Sequence, residues 1–545
     1  MSAPPGSSAV NPVDDYRSRP ICRPYRPPGP PNVWGGMAQA ALAGLLAAQA
    51  LPPAHWWGLL FAALGWLLWL LEQHLKWMDT SARRARRAAA LLFAYGLGWH
   101  GWGISWVAEA FFVDAERFAM LAPLAVALLA AAMAAFYAAA GALAALFWPL
   151  GHCWRAPLLA LFMTLADAAR GVPLAFGGFA WNPFAVVLDA DYMLGLMQGV
   201  HLLGVWGFSA LLLWLVMLPA QLWLCRRAGV PVSRLRALAA LGVLLAAGLW
   251  IWGQMRVMRI AAAPVAKDAP WLIIVQPSVA QREKWRPQNR QRIFEDLLRL
   301  SRQGLTKVRE KCAADDSCAA PVVVIWPESA VPFLLDVSPR ALAMIGDMLP
   351  AGGWLLTGAL RQTQAYTRGK VKDGPRLHNS VLAIDASGQV RLAYDKRRLV
   401  PFGEYVPFEK LLKPLGVGKL VPFRHGFQPG RELGPHYLPG LPPFEAFICY
   451  EIIYHDRPAR AHDTRWLLNV TNDAWFGTSA GPYQHLQHAR LHAIARGLPL
   501  ARAANSGISA VLDAAGRSRG HLPLQYRGTL VVRLPVQPQG TEIFP

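Results

Sequence analysis

The chain divides into two parts by the length of its apolar runs. Up to about residue 256 the runs are long and nearly free of charged residues. A helix needs about 20 mainly apolar residues to cross the hydrocarbon core of a bilayer. Seven runs are near or above that length, at residues 34–51, 54–71, 88–108, 119–150, 156–176, 193–224 and 237–255. The pattern therefore predicts a multi-span α-helical membrane domain of about seven helices over residues 34–262.

The apolar runs after about residue 270 are short and are bounded by Gly, Pro and polar residues. They are rich in Val, Ile and Leu, as buried strands are. These candidate strands lie at residues 271–276, 321–327, 354–360, 380–384, 445–450, 466–471, 508–513 and 529–535. Helical stretches lie between some of them, at 288–303 and 483–497. The alternation predicts a separate α/β domain over residues 268–537, large enough for its own core.

The charges outside the apolar runs orient the predicted helices. Residues 1–33, rich in Pro and Arg and without an apolar run, are expected to be a disordered tail, and no cleavable signal peptide is visible. Basic residues concentrate in this tail and in the loops after the second, fourth and sixth spans: Arg17, Arg19, Arg23, Arg26, Lys76, Arg83, Arg84, Arg86, Arg87, Arg155, Arg226, Arg227, Arg234 and Arg236. The alternate loops are acidic, with Glu109, Asp114, Glu116, Asp189 and Asp191 against Arg117 alone. Because basic loops stay in the cytoplasm, an odd number of spans places the α/β domain outside, which in a bacterium is the periplasm.

Composition excludes an ordinary soluble enzyme, since 54% of the 545 residues are hydrophobic and only 16% are charged. The formal net charge is +21, but no nucleic-acid-binding motif accompanies it, so we expect acidic lipid headgroups and not nucleic acid as the electrostatic partner. Six cysteines in so long a chain do not make a disulfide framework. Cys312 and Cys318 lie close together in a polar stretch on the outer side, where we predict a local disulfide; the alternative is two reduced thiols.

Three residues of the α/β domain have the chemistry of an acyl-transfer site. Glu328, Lys396 and Cys449 each follow or adjoin a predicted strand, and strand ends of α/β folds converge on ligand sites. An ammonium favours the reactive thiolate, and a carboxylate accepts the proton of the thiol. Lys396 and the backbone N–H of Tyr450 could hold the oxyanion of an attacked ester. Each residue alone has an ordinary explanation, as a core cysteine, a helix cap or a solvated lysine, and only the combination indicates catalysis.

Two features near the end of the fifth span bear on a substrate site. Asp167 and Arg170 are three residues apart on a helix, and they form either a structural ion pair or the support of a substrate cavity. The aromatic segment 177–184 that follows suits a lip on the outer face of the membrane. Farther along, the apolar segment Leu411–Phe423 is either a mobile arm that dips into the membrane and covers the site, or a packed loop.

Three histidines, His485, His488 and His492, have helical spacing and are the one candidate metal cluster. No cysteine or acidic residue joins them at the spacing of metal ligands. We therefore interpret them as structural residues and expect no metal.

Six motifs occur in a fixed order along the two domains. They are Gly178-Phe179-Ala180-Trp181-Asn182, Gly204-Val205-Trp206-Gly207, Trp326-Pro327-Glu328-Ser329, the run from Lys396-Arg397-Arg398 to Glu404-Tyr405-Val406-Pro407, Cys449-Tyr450-Glu451 and Asn472-Asp473-Ala474-Trp475-Phe476-Gly477. Together they resemble the nitrilase (carbon-nitrogen hydrolase) superfamily and, within it, the apolipoprotein N-acyltransferase family. The resemblance extends over about residues 34 to 520.

The resemblance implies a nitrilase-like α-β-β-α sandwich and a catalytic triad of Glu328, Lys396 and Cys449. It also implies supporting or substrate-binding roles for six other residues: Trp285, Glu404, Tyr450, Glu451, Trp475 and Phe476. Members of the family usually have a further membrane helix after the catalytic domain, whereas no run of span length follows residue 535 here. This difference leaves the span count open but does not touch the triad.

The implied reaction has two steps. Cys449 takes a fatty acyl group from a phospholipid as a thioester, and the α-amine of a diacylglyceryl-modified apolipoprotein cysteine then takes it as an amide. We expect no cofactor, a monomer, contact with membrane lipids, and a multi-pass protein of the bacterial inner membrane. A membrane-tethered amidase that hydrolyses its acyl-enzyme with water is the alternative enzyme, disfavoured by the multi-span domain. A non-catalytic lipid-binding scaffold is disfavoured by the intact triad.

Overall fold

The structure is a computed structural model that describes residues 31–148, 151–172, 178–189, 191–314, 317–367, 370–405, 426–455 and 463–536. Most of the predicted tail, the whole of the predicted arm Leu411–Phe423 and the last residues of the chain lie outside these described residues. The first helix begins at Val33, the final residue of the predicted tail, and the Asn32 side chain caps it by accepting a hydrogen bond from the Trp34 N–H.

Among the described residues up to 262, seven long helices form the first part of the chain, and each overlaps one of the predicted spans. They are α1 (Val33–Ala48), α2 (Trp57–Leu75), α3 (Ser81–Gly103), α4 (Ala122–Leu146), α5 (His152–Gly171), α6 (Gly199–Arg227) and α7 (Val232–Ala262). Four helical segments are long and apolar enough to cross a membrane by themselves, namely α2, α6, α7 and the stretch Ala115–Leu146 that contains α4. The helical membrane region is thus present, and the count of seven spans stays a prediction.

Glycines allow the first and third helices to touch through their backbones. A Cβ atom added to Gly44 would lie 2.0 Å from the Tyr95 carbonyl oxygen, and one added to Gly98 would lie 2.0 Å from the Ala41 carbonyl oxygen. Such contacts exclude any side chain at either position, as in other closely packed membrane helices. The sequence of small residues therefore fixes how α1 and α3 pack.

Two β-sheets form the second part. The strands are β1 (Trp271–Gln276), β2 (Val322–Trp326), β3 (Trp354–Thr367), β4 (Lys370–Asp385), β5 (Val390–Asp395), β6 (Phe444–Ile448), β7 (Trp466–Thr471), β8 (Leu500–Ala504), β9 (Ser509–Leu512), β10 (Ser518–Leu522) and β11 (Gly528–Arg533). One sheet has the order β11-β1-β2-β3-β4-β5, and the other has the order β10-β9-β8-β7-β6. Every predicted strand is present, while β5, β8 and β10 were not predicted.

The two sheets face one another across an apolar core and carry helices on their outer faces. Ile274 and Leu356 of one sheet share this core with Phe444 and Val470 of the other. Helices α8 (Arg290–Ala314) and α9 (Pro339–Met348) cover the outer face of the six-stranded sheet. Helix α10 (Gly481–Arg496) covers the five-stranded sheet. The predicted α-β-β-α sandwich is confirmed.

Helix α10 also joins the sandwich to the membrane helices. The Gln484 side-chain oxygen accepts hydrogen bonds from the indoles of Trp106 and Trp181, at 3.1 and 2.8 Å. The guanidinium of Arg490 pairs with Asp189 at 3.1 Å. These are polar contacts between otherwise apolar surfaces, so they fix the position of the sandwich on the helices.

The cysteines divide into a bridged pair and three free residues within the described part of the chain. Cys312, near the end of α8, forms a disulfide with Cys318, with their Cα atoms 4.8 Å apart. The predicted local disulfide is confirmed. Cys153 and Cys225 are reduced, with their sulfur atoms 3.6 Å apart at the ends of α5 and α6, and Cys449 is the third free thiol.

Candidate active site

Three strand ends bring the predicted catalytic residues into one buried site. Glu328 lies two residues after β2, Lys396 directly follows β5 in the same sheet, and Cys449 directly follows β6 in the facing sheet. Their exposed fractions are 6%, 1% and 8%. Two strands of one sheet and one of the other therefore deliver a carboxylate, an ammonium and a thiol to the same edge of the sandwich.

An ammonium held between two carboxylates forms what we call the front cluster, made of Glu328, Asn379, Lys396 and Glu404. The Lys396 Nζ donates to Glu404 Oε1 at 2.9 Å and lies 3.6 Å from Glu328 Oε1. The Asn379 Nδ2 donates to both carboxylates, at 2.7 Å to Glu328 and 3.0 Å to Glu404. Asn379, on β4, was not predicted from the sequence, and it holds the two carboxylates in fixed positions around the ammonium.

Burial and charge set the resting protonation of the site. Burial raises the pKa of the Cys449 thiol well above its ordinary value; the Glu328 carboxylate adds to this effect and Lys396 opposes it. Burial acts against the charge of Lys396, but Glu404 and Glu328 outweigh it and raise the pKa of this ammonium well above its ordinary value. The resting site therefore holds a neutral thiol beside a permanently charged lysine, and the thiol needs a base before it can react.

The backbone at Cys449 is in the left-handed region, with φ +49°. A residue with a side chain rarely adopts this conformation, so the surrounding structure must impose it. Glu451, only 1% exposed, supplies the restraint by accepting hydrogen bonds from the Ile448 N–H at 2.9 Å and the Arg397 N–H at 2.9 Å. Its carboxylate also accepts from the Tyr394 hydroxyl at 3.0 Å. Glu451 therefore ties the cysteine turn to the segment that carries Lys396.

A second group of charged residues, the rear cluster, lies behind Cys449 and consists of Thr471, Asp473, His485 and Arg502. Asp473 accepts from the Thr471 hydroxyl at 2.8 Å and from Arg502 at 2.7 Å, and it lies 2.8 Å from the His485 Nδ1. The other His485 ring nitrogen lies 3.1 Å from the Cys449 carbonyl oxygen. Burial alone would raise the pKa of Asp473, but Arg502 and His485 lower it to about 2.

The three predicted structural histidines are engaged by protein groups. His485 belongs to the rear cluster, the His488 Nδ1 lies 3.2 Å from the His455 Nε2, and the His492 ring stacks on His455 at 4.4 Å. Among the described residues, no group of three or more His, Cys, Asp or Glu side chains has the geometry of a metal site.

The predicted lip of the membrane domain contacts the residues that follow the nucleophile. The hydroxyls of Tyr450 and Tyr454 both donate to the Gly178 carbonyl oxygen, at 2.9 and 3.0 Å. Arg170 pairs with Asp167 at 2.9 Å and also donates to the Phe179 carbonyl oxygen at 2.7 Å. The Asp167–Arg170 pair is therefore both an ion pair and the support of the lip.

Aromatic residues also pack where the sandwich meets the membrane part of the chain. Phe476 packs edge-on against Trp106, with ring centres 4.5 Å apart, and Trp475 is half-buried beside it. Trp285 is 38% exposed, and the ammonium of the preceding Lys284 lies 5.9 Å from the centre of its ring. The structure thus brings together Glu328, Lys396, Glu404 and the turn Cys449–Glu451, whereas the substrate-binding roles expected for Trp285, Trp475 and Phe476 stay predictions.

Family comparisons cover both domains. A family model described as "Carbon-nitrogen hydrolase" matches residues 278–538, and one described as "Apolipoprotein N-acyltransferase N-terminal domain" matches residues 43–218. The apolipoprotein N-acyltransferase of Rhodopseudomonas palustris is 36% identical over 504 residues, covering 92% of this chain and 90% of the relative. That of Brucella melitensis biotype 1 is 36% identical over 509 residues, with the same coverage of 92% and 90%. The crystal structure of a carbon-nitrogen hydrolase from Helicobacter pylori G27 covers 49% of this chain and 88% of its own, with 16% identity and a TM-score of 0.33.

Proposed function

The chain belongs to the apolipoprotein N-acyltransferase family, and from that premise we propose that Glu328, Lys396 and Cys449 are its catalytic triad. The observation that carries the proposal is the Lys396 ammonium, which is 1% exposed and lies 2.9 Å from Glu404 and 3.6 Å from Glu328, close to a free cysteine with left-handed backbone. Burying an ammonium is unfavourable, and a lysine without a function at this site would keep its charge in water. The burial of Lys396 therefore indicates that the site uses its positive charge.

In the first step Glu328 takes the thiol proton, and the Cys449 sulfur attacks the ester carbonyl carbon of a phospholipid. Negative charge moves to the carbonyl oxygen, where the Lys396 ammonium and the Tyr450 backbone N–H stabilise it. The ester C–O bond then breaks, and the leaving oxygen takes the proton from Glu328 to give a lysophospholipid. The product is an acyl thioester on Cys449 and an unprotonated Glu328.

In the second step the α-amine of a diacylglyceryl-modified apolipoprotein cysteine attacks the thioester carbon. Glu328 accepts a proton from the amine, the C–S bond breaks, and that proton returns to the thiolate. The amide forms and the free thiol is restored, so atoms and charge balance over the cycle. Water would compete with the amine, and the burial of all three side chains keeps it out between the steps.

The same premise gives the setting of the reaction. We propose that the protein is a monomer in a bacterial inner membrane, with the sandwich on the periplasmic side and the phospholipid donor entering from the bilayer. The loop charges support this orientation, because the acidic loop residues Glu109 and Asp189 lie next to Gly477 and Arg490 of the sandwich. The hydrolytic alternative is not favoured, since the curated relatives are named as acyltransferases.

Intact mass spectrometry after exposure to phospholipid vesicles tests the proposal. The wild-type chain should gain one acyl mass on Cys449, and a peptide that begins with diacylglyceryl-cysteine should remove it. Cys449→Ala should gain nothing, whereas Cys153→Ala, which removes a free thiol at the opposite end of the bundle, should behave as the wild type. Steady release of free fatty acid without a persistent adduct would indicate the tethered amidase instead.

A further inference from the structure

A second buried lysine lies beside the catalytic carboxylate. Lys284 ends the short helix Gln281–Lys284 and is 2% exposed. Its Nζ donates to the main-chain carbonyl oxygen of Glu328 at 3.2 Å. Within the ranges that the structure describes, no carboxylate lies at ion-pair distance from this ammonium. A buried ammonium without a direct ion-pair partner is unfavourable, so its retention needs an explanation.

The loop that carries Lys284 is held by hydrogen bonds from Asn472 and Asn505, which directly follow strands β7 and β8 of the opposite sheet. The Asn472 Nδ2 donates to Gln281 Oε1 at 2.8 Å, and the Asn505 Nδ2 donates to the Val279 carbonyl oxygen at 2.7 Å. The Asn505 Nδ2 also donates to Asn472 Oδ1 at 2.9 Å. The position of Lys284 is therefore determined by its surroundings, and the ammonium is not free to swing into water.

The front cluster by itself has one more negative than positive charge, and Lys284 supplies a further cation next to it. The front cluster holds two carboxylates, Glu328 and Glu404, and one ammonium, Lys396, whose hydrogen bond goes to Glu404. Burial lowers the pKa of Lys284 to about 8, while the charges of Glu328 and Cys449 act to raise it. The Lys284 ammonium is thus electrostatically coupled to both groups between which the proton moves.

We propose that Lys284 is a positioning residue of the transfer reaction, which fixes Glu328 through its carbonyl oxygen and supplies the second positive charge of the site. When the proton passes from Cys449 to Glu328, the negative charge passes from the carboxylate to the sulfur. The Lys284 ammonium attracts the negative charge that forms on the sulfur, so it favours the thiolate over the neutral thiol without binding substrate. The inference rests on the triad proposed above.

The pH dependence of cysteine alkylation isolates this role, because alkylation needs the thiolate but no acyl donor. Besides Lys284, the groups that act on the Cys449 thiol are Glu328 and Asp473, which disfavour the thiolate, and Lys396 and the Thr471 hydroxyl, which favour it. In Lys284→Met the alkylation of Cys449 at pH 7 should be about tenfold slower, which corresponds to about one pKa unit. The difference should fade above pH 8, where the Lys284 ammonium of the wild type loses its own proton. Acyl-enzyme formation should slow by at least as much. Lys307→Met, which removes an exposed lysine of α8, is the matched control and should leave both unchanged.

Stability and a second variant separate charge from packing. Lys284 has no ion-pair partner among the described residues, so removing its charge relieves a desolvation cost, and Lys284→Met should unfold at or above the wild-type temperature. Lys284→Gln keeps a donor for the Glu328 carbonyl oxygen without the charge, and its alkylation at pH 7 should be slowed by the same factor. Alkylation at the wild-type rate at pH 7 in either variant would overturn the inference. If wild-type Cys449 were never acylated by phospholipid, the triad would fail, while slower alkylation of both variants at pH 7 would still establish the role of the Lys284 charge.

Discussion

Two clusters of buried charge flank Cys449, and they differ in how completely their carboxylates are hydrogen bonded. In the rear cluster Asp473 has three partners, Thr471, His485 and Arg502, all within 2.8 Å. In the front cluster Glu328 has a close donor in Asn379 at 2.7 Å, while the Lys396 ammonium stays at 3.6 Å. The Asp473 carboxylate is saturated with hydrogen bonds, whereas the Glu328 carboxylate can still accept a hydrogen bond or a proton from another group.

This difference indicates that the rear cluster has a structural role and the front cluster a chemical one. A carboxylate whose oxygens are all paired resists protonation, as the pKa of about 2 for Asp473 shows; burial opposes this shift and Arg502 outweighs it. Such a group cannot accept a proton from a thiol, so it holds the structure in place. The front cluster retains an acceptor beside a thiol, which is the arrangement that general-base catalysis requires.

Removing the Cys449 sulfur, which lies between the two clusters, should have the largest effect. Cys449→Ala should fold and enter membranes, and it should lose transfer by about 10⁶, the scale seen when a covalent nucleophile is removed. Transfer of radiolabelled acyl groups from phospholipid to a diacylglyceryl peptide measures the loss. Cys449→Ser should transfer far more slowly than the wild type, because an alcohol is a weaker nucleophile. Retained transfer by the Ala variant would rule out the triad.

Breaking the rear cluster should destabilise the folded protein and not merely lower the rate of acyl transfer. Arg502→Met leaves Asp473 buried without its cation, which should lower the free energy of unfolding by about 3–5 kcal/mol. Thermal unfolding in detergent measures this, with Arg299→Met as the control, since Arg299 forms an exposed pair with Asp296 that is worth about 1 kcal/mol or less. An Arg502→Met protein of normal stability but low activity would contradict the division between the clusters.

Breaking the front cluster should stop the chemistry of protein that is still folded. Lys396→Met keeps the aliphatic stem and removes the charge, so acyl-enzyme formation should fall by about 10²–10³, as for loss of an oxyanion donor elsewhere. Because Glu328 and Glu404 then lose their buried cation, the unfolding temperature should also fall, and acylation is measured on the folded fraction. Lys396→Arg should not restore the rate, because a planar guanidinium cannot occupy the place of a compact ammonium. Normal thioester accumulation in Lys396→Met would show that this lysine is not catalytic.

The smallest effect is a pH dependence confined to the rear cluster. The folded-state pKa of Asp473 is lowered from 3.8 to about 2, chiefly by Arg502 working against burial, so its contribution to stability is present above about pH 4 and is lost as pH falls toward 2. The contribution is about 2 kcal/mol. The stability difference between the wild type and Asp473→Asn should therefore shrink from pH 5 to pH 2. A difference that stays constant over this range would place the folded-state pKa of Asp473 near its ordinary value.

The sequence predicted those strands that can be recognised from their own apolar residues, without knowledge of the segments packed against them. All eight predicted strands are present, because each is a continuous apolar run. Strand β8 was missed because Leu-Ala-Arg-Ala-Ala contains no strong β-former, and Arg502 in its middle is buried only since Asp473 and Asn469 pair with it. Strand β5 lies at a sheet edge, and its alternating pattern at Val390, Leu392 and Tyr394 was the available signal.

The catalytic motifs identified the groups that react but not the groups that hold them. Asn379 stands in the polar run His378-Asn379-Ser380 just before an apolar stretch, and this break in the strand pattern was its only sign. Lys284 precedes Trp285 and reads as an ordinary surface lysine until the tertiary structure shows its burial. Both side chains act through contacts between distant segments, which no local pattern encodes.

The shared acceptor of Tyr450 and Tyr454 has a consequence for how the two halves of the gene can be recombined. Both phenols donate to the carbonyl oxygen of Gly178, so part of the wall beside the nucleophile is encoded some 270 residues upstream, at sequence separations of 272 and 276. A sandwich expressed without its helices, or grafted onto those of a distant relative, would present two buried hydroxyls to an acceptor that is missing or displaced. The sandwich of this chain therefore cannot be exchanged without the helices that carry Gly178. Substitutions at the Gly178 turn and at the two tyrosines should co-vary among relatives.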